Sequence, residues 1–202
     1  MAGNWQALKR ELKVHGWLLF GPVAVMWIVQ VVNALTLHSL DRFGLRPWSI
    51  PGLIGIVTMP FLHLGFAHLM ANTVLFLVFG ALILMHNVRD YVAVWLTTLL
   101  VAGVGTWLTG MPGSTHIGAS GIVFGFLGYL MLRGFFRRSV WSILLSLVIG
   151  VMYGYQLWGV LPQGGISWQG HLFGFLGGGL SAYMLCRGQR RPVAAPTRVA
   201  VG

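Results

Sequence analysis

Apolar runs close to the length of a bilayer crossing recur from one end of this chain to the other, and they set its solvent. They occupy residues 14–37, 61–85, 91–109, 117–134, 139–161 and 168–187. Each approaches the roughly 20 residues that a helix needs to cross the hydrocarbon core. In lipid the backbone has to satisfy its own hydrogen bonds, which runs of this length do as helices. The 202-residue chain is 56% hydrophobic and 8% charged, whereas about a quarter of a soluble chain is charged. The expected fold is an all-α membrane protein, a bundle of six transmembrane helices forming one domain over 14–187. The link from His38 to Pro60 mixes charges, prolines, glycines and apolar residues, which suits a segment lying in the membrane interface.

Lysine and arginine set the orientation. Lys9, Arg10, Lys13, Arg89, Arg133, Arg137, Arg138, Arg187, Arg190, Arg191 and Arg198 fall on one side of a six-span arrangement, and only Arg42 and Arg46 on the other. The bias puts both termini in the cytoplasm. Residues 1–13 then form a short cytoplasmic segment, and 188–202 a basic tail expected to be disordered. The net charge of +10 sits in short segments between apolar runs, so it reads as topology and not as a nucleic-acid footprint. Residues 14–37 exceed the ~7–15 apolar residues of a signal peptide and read as a retained first span. Cys186 is the only cysteine, which excludes an intrachain disulfide and a cysteine-rich metal site. No cofactor or bound metal is expected.

With both termini inside, spans two, four and six all start at the outer face, and each carries polar residues just below its start. Span two has His63, His68 and Asn72; span four has His116 and Ser120; span six has Gln169 and His171. At ~1.5 Å per residue they share one layer near the surface. Polar groups are costly in hydrocarbon, and three helices bearing that cost at one depth imply a shared cavity. Gly118, Gly121, Gly125 and Gly128 in span four, and Gly170, Gly174 and Gly178 in span six, give both helices faces that permit close approach.

Within such a cavity Ser120 and His171 are candidates for a nucleophile and its base. The chain has only Glu11, Asp41 and Asp90 as acids, none near a catalytic candidate in sequence or topology, so the arrangement would be a dyad. His68 and Asn72, four residues apart on one helical face, are candidate oxyanion donors together with the Ser120 backbone N–H. Phe124, one turn below Ser120, either orients the His171 ring or is a core aromatic.

The stretches PFLHLGFAHLMAN, HIGASGIVFG and GHLFGFLGG together resemble the rhomboid intramembrane serine proteases, over roughly residues 45–185. The resemblance implies a six-span protease core that cleaves single-pass transmembrane proteins within the bilayer. It implies Ser120, in Gly118-Ala119-Ser120-Gly121, as nucleophile and His171 as base. It also implies His68 and Asn72 at the oxyanion site, and His63 as a further histidine common in that span. Two features depart from the family pattern. The first loop has Arg46-Pro47-Trp48 and lacks a Trp-Arg dipeptide, and Phe124 stands where many relatives have tyrosine, so a phenolic hydroxyl is not required. A compact six-span chain of this kind is expected in a bacterial cytoplasmic membrane. Its oligomeric state and individual substrates are left open.

Three other functions fit parts of this pattern. A small transporter would need polar residues through the full depth, yet the inner halves of spans two, four and six are overwhelmingly apolar. A haem or metal protein would use His63, His68 and His171. A non-catalytic rhomboid-like protein would bind transmembrane segments without cutting them, and an active-site serine probe would distinguish it.

Overall fold

The apolar runs do become helices, with boundaries set by caps, prolines and glycines. The structure, a computed structural model, describes residues 2–187; the tail expected at 188–202 lies outside the described residues. The helices are α1 (Ala2–Leu35), α2 (Gly55–Thr58), α3 (Phe66–Leu84), α4 (Val88–Thr109), α5 (Ser120–Arg137), α6 (Val140–Tyr153) and α7 (Trp168–Arg187). A 3-10 helix, Gly154–Val160, continues α6. Among the described residues no strand forms, and the one isolated β-bridge joins Leu45 to His116. Expected spans one to six correspond to α1 and α3–α7, with α1 reaching back through residues 2–13 as one helix.

Among the described residues, four stretches are long and apolar enough to cross a membrane: Trp5–Leu35, Phe66–Leu84, Val88–Thr109 and Val140–Val160. The two remaining long helices, α5 and α7, are held chiefly by protein. Nearly every residue of α5 from Gly121 to Leu130 is buried, and so are Gln169, Gly170, His171, Gly174 and Gly177–Gly179 of α7. Their mutual contact is the most extensive in the molecule, followed by that of α7 with α4. It depends on missing side chains: a Cβ at Gly174 would overlap the Gly121 carbonyl oxygen, and one at Gly178 that of Gly125. The helices therefore meet backbone to backbone, and the expected fourth-position glycine face is this contact.

Helix starts differ from the expected runs: α1 begins at Ala2, α3 at Phe66, α4 at Val88 and α5 at Ser120, so His63 precedes α3 instead of lying in the second span. The apolar run of the fourth span opens at residue 117, and the helix itself starts three residues later. Residues before it are held in a non-helical turn, where Gly118 has φ +124°, a region that favours glycine. Gly118 therefore belongs to the turn that delivers Ser120, not to the helix-packing face.

The connection between α1 and α3 is a series of short helical turns docked on the end of α4. The Trp48 N–H donates to the Trp107 carbonyl at 3.2 Å, and Trp107 Nε1 donates to the Ser49 carbonyl at 2.9 Å. Leu45 and His116 exchange two backbone hydrogen bonds, of 3.0 and 2.8 Å. Phe43, Trp48, Ile50, Ile54 and Val57 remain exposed along this connection, giving it an apolar outer surface. At the end of α1, Asn33 Nδ2 donates to Asp41 at 2.8 Å and Asn33 Oδ1 accepts from the Leu40 N–H at 2.9 Å, which ties the connection to the helix it leaves.

Pro22 lies inside α1 and removes the N–H that would bond the Leu18 carbonyl four residues back. The Tyr91 hydroxyl of α4 donates to that carbonyl at 2.9 Å. Tyr91→Phe should orphan the carbonyl at nearly constant shape and cost about 1–3 kcal/mol of stability. Reversible unfolding in mixed micelles measures the loss, and a change within error of zero would show that the bond contributes nothing.

Candidate active site

Three helices and two turns bring the polar layer together. His63 and His68 flank the start of α3, Ser120 is the first residue of α5, and His171 lies in the first turn of α7. The layer surrounds a cavity of about 310 Å3 whose lining includes His68, Asn72, Ser120, Phe124, Ser167 and His171. His171 and Asn72 are buried, Ser120 and His68 partly so.

His171 Nε2 lies 2.8 Å from Ser120 Oγ. Its other nitrogen, Nδ1, lies 2.9 Å from the Gly159 carbonyl oxygen. A carbonyl only accepts, so Nδ1 carries the proton and Nε2 presents its lone pair to the serine hydroxyl. The imidazole is thereby held in the tautomer that can take a proton from Ser120. The Phe124 ring stacks on the imidazole at 4.2 Å between centroids and 5° between planes, a contact that limits how the His171 ring can turn. Gly159, in the 3-10 helix after α6, has no signal in the sequence, because every residue carries the same backbone carbonyl.

The chain's acids are placed elsewhere. Asp41 bonds Asn33, Asp90 accepts from the buried Tyr129 hydroxyl at 2.9 Å, and Glu11 is exposed on α1. The carbonyl of Gly159 occupies the position of a third group beside the histidine.

His63 and His68 meet edge to face, with centroids 5.2 Å apart. His63 is fully buried, and its Nε2 accepts from the Ala119 N–H at 3.3 Å, so it holds the peptide just before Ser120. Asn72 Nδ2 donates one hydrogen to the His68 carbonyl at 3.1 Å, and its second amide hydrogen remains for the cavity. A Cβ on Gly118 would come within 2.8 Å of His68 Cε1, so this glycine lets the turn pass beside the histidine. Gly174, two turns deep against Gly121, sets how near α7 comes.

His116 sits above these groups. Its Nδ1 lies 2.7 Å from Ser167 Oγ and its Nε2 3.0 Å from Ser114 Oγ. Burial lowers its pKa from the ordinary histidine value, which favours the neutral ring. Gln156, also on the cavity wall, was not singled out in the sequence, since a lone glutamine in an apolar run carries no pattern.

Comparison with known proteins adds to this geometry. The family model described as Rhomboid domain matches residues 51–188. The chain is similar to an uncharacterised protein of Mycobacterium tuberculosis, 39% identical over 189 residues, covering 88% of this chain and 78% of that one. It is also similar to an uncharacterised protein of Mycobacterium leprae, 39% identical over 178 residues, covering 84% and 70%. A Bacillus subtilis protein with the name "Putative rhomboid protease YdcA" is 28% identical over 137 residues, covering 67% and 69%.

The stacked Phe124 generates a test of the orientation argument. Phe124→Ala should lower the rate at which a fluorophosphonate labels Ser120 by about tenfold, the equivalent of about 1.4 kcal/mol. Phe124→Tyr keeps the ring and should label within about threefold of wild type. Equal rates in all three proteins would show that the stack does not orient the base.

Proposed function

The chain belongs to the rhomboid family, and on that premise we propose that it is an intramembrane serine endopeptidase that cuts single-pass membrane proteins near the outer face of the membrane. The single observation that carries the reading is the Ser120–His171 contact at 2.8 Å with the histidine tautomer set by Gly159. In this reading α1 and α3–α7 cross the membrane, both termini lie in the cytoplasm, and residues 14–187 make up the protease domain. A bacterial cytoplasmic membrane is the proposed location.

The Ser120 hydroxyl attacks the scissile carbonyl carbon while His171 Nε2 accepts its proton. Negative charge then develops on the carbonyl oxygen. The Ser120 backbone N–H, the free amide hydrogen of Asn72 and the His68 ring are the proposed donors to it. Collapse of the tetrahedral species breaks the C–N bond, and His171 returns the proton to the departing amine. Water entering the cavity is then deprotonated by the same nitrogen and hydrolyses the acyl-serine. Throughout, the Gly159 carbonyl stabilises the imidazolium by accepting from Nδ1, as a carboxylate does in a triad.

A helical substrate carbonyl is already hydrogen-bonded, so the substrate has to unwind locally to be cut. The proposed entry lies at α6 and the loop Pro162–Ser167. Its exposed Gly164 and Gly165 and the sparse burial of Val140–Val160 leave this side of the cavity the least restrained.

The deciding experiment follows cleavage of a generic single-span substrate by purified protein in detergent. Wild type should cut, while Ser120→Ala and His171→Ala should not. Asn72→Ala should retain cleavage with kcat lowered by about 10²–10³, as expected for loss of one oxyanion donor. Equal cleavage by wild type and both dyad variants would sink the reading. A wild type that binds substrate but neither cuts nor reacts with a fluorophosphonate would favour a non-catalytic binder.

A further inference from the structure

Two Ser–His pairs, not one, join the turn before α5 to the start of α7. The lower pair is Ser120 with His171, at 2.8 Å; the upper pair is His116 with Ser167, at 2.7 Å. Both pairs are separated by 51 residues in the chain. The residue types are exchanged, with the histidine of the upper pair on the nucleophile's segment and its serine on the base's segment. The segments 116–120 and 167–171 and these two side-chain bonds therefore close a ring.

The direction of every hydrogen bond in the upper pair follows from donor counting. Ser114 Oγ spends its one hydrogen on the Met111 carbonyl, at 2.6 Å. His116 Nε2 must then be the donor to Ser114, at 3.0 Å, which leaves Nδ1 as an acceptor. Ser167 Oγ accordingly donates to His116 Nδ1. The same residue's carbonyl accepts the His171 N–H at 3.1 Å. Ser167 thus holds His171 through its backbone and is itself held by His116 through its side chain. His116 is in turn fixed by its two backbone bonds to Leu45, so the reference point is the docked first connection and not a free loop.

We propose that His116 and Ser167 are positioning residues, a second Ser–His pair that sets the spacing and direction of His171 relative to Ser120. Neither is assigned a part in proton transfer. The first turn of α7 follows the exposed loop Leu161–Ile166, whose Gln163 side chain bonds back to the Trp158 carbonyl at 2.9 Å, so it is the upper pair that ties the residue opening this turn to the segment before Ser120. Small misplacement of a base is costly because proton transfer requires hydrogen-bond geometry. The inference rests on the proposed dyad.

The test reads the second-order rate of Ser120 labelling by a fluorophosphonate, normalised to folded protein, for the full chain in detergent. Ser167→Ala and His116→Ala should each slow labelling by about tenfold, the loss of one well-placed hydrogen bond. His116→Asn places an acceptor near the former Nδ1 position, and Ser167→Thr keeps the hydroxyl; both should restore the rate to within about threefold of wild type. The double variant His116→Ala, Ser167→Ala should be no slower than the slower single variant, because the two act through one bond. In peptide cleavage the loss should fall on kcat, with KM changed less than about twofold.

A purely structural pair would lower the melting temperature and leave the normalised labelling rate unchanged, and that result would overturn the proposal. Independent, additive losses would overturn it as well. Should His116→Ala fail to fold, Ser167→Ala with its Ser167→Thr counterpart decides alone. Wild type that resists the probe overturns the dyad itself, an outcome separate from wild type that reacts at the same rate as the variants.

Discussion

Everything at the site depends on how closely α7 approaches α5. The Gly121 carbonyl oxygen occupies the space where a Cβ on Gly174 would sit, and Gly125 stands in the same relation to Gly178. At that separation a serine, whose hydroxyl is one bond beyond Cβ, comes within hydrogen-bond distance of a histidine on the opposite helix. Larger residues on either face would widen the gap by ångströms, and no rotamer of so short a side chain as Ser120 could recover it. The glycines that weaken α5 and α7 as independent apolar helices are the ones that make the contact possible. These two helices lie among α3, α4 and α6, and their stability comes from protein contact.

The second constraint is the cost of charge. A carboxylate facing His171 would have to be desolvated inside the bundle, and removing an ion from water costs several kcal/mol unless its pairing is excellent. A backbone carbonyl is already present, is neutral, and accepts one hydrogen bond as well as a carboxylate oxygen does in geometry, though less strongly. Gly159 supplies it from the C-terminal end of the 3-10 helix Gly154–Val160, where the last carbonyls have no partner within the helix. The few polar side chains of the layer are likewise shared out. His63 holds the Ala119 N–H, Asn72 spends one hydrogen on the His68 carbonyl, and the His116 ring uses both nitrogens.

The first connection has its place in the same logic. Its bridge from Leu45 to His116 and its docking on Trp107 fix the turn that precedes Ser120. The same connection keeps Phe43, Trp48, Ile50, Ile54 and Val57 exposed, so one segment carries an apolar surface and braces the turn before Ser120. The Arg46-Pro47-Trp48 sequence does this without a Trp-Arg dipeptide, by pairing the backbone N–H of Trp48 with the Trp107 carbonyl.

Much of this was legible in the sequence, and the reason is periodicity. Apolar runs located the long helices, and i, i+4 spacing put Phe124 under Ser120 and Asn72 beside His68. Glycines at fourth positions identified the contact face of α7. The starts of α3 and α5 are not legible from the apolar runs; Gly118 reads equally as a packing glycine or as a turn, and only its positive φ separates the two. Gly159, Tyr91 with Leu18, and His116 with Ser167 were illegible for a different reason. A carbonyl is the same group at every residue, and neither Tyr91 nor Ser167 lies in a polar layer or glycine pattern that would mark it. The sequence by itself determined the lipid solvent, the helices and the side chains able to move a proton. Tertiary structure alone decided which backbone groups face those side chains, because packing is what makes one carbonyl different from another.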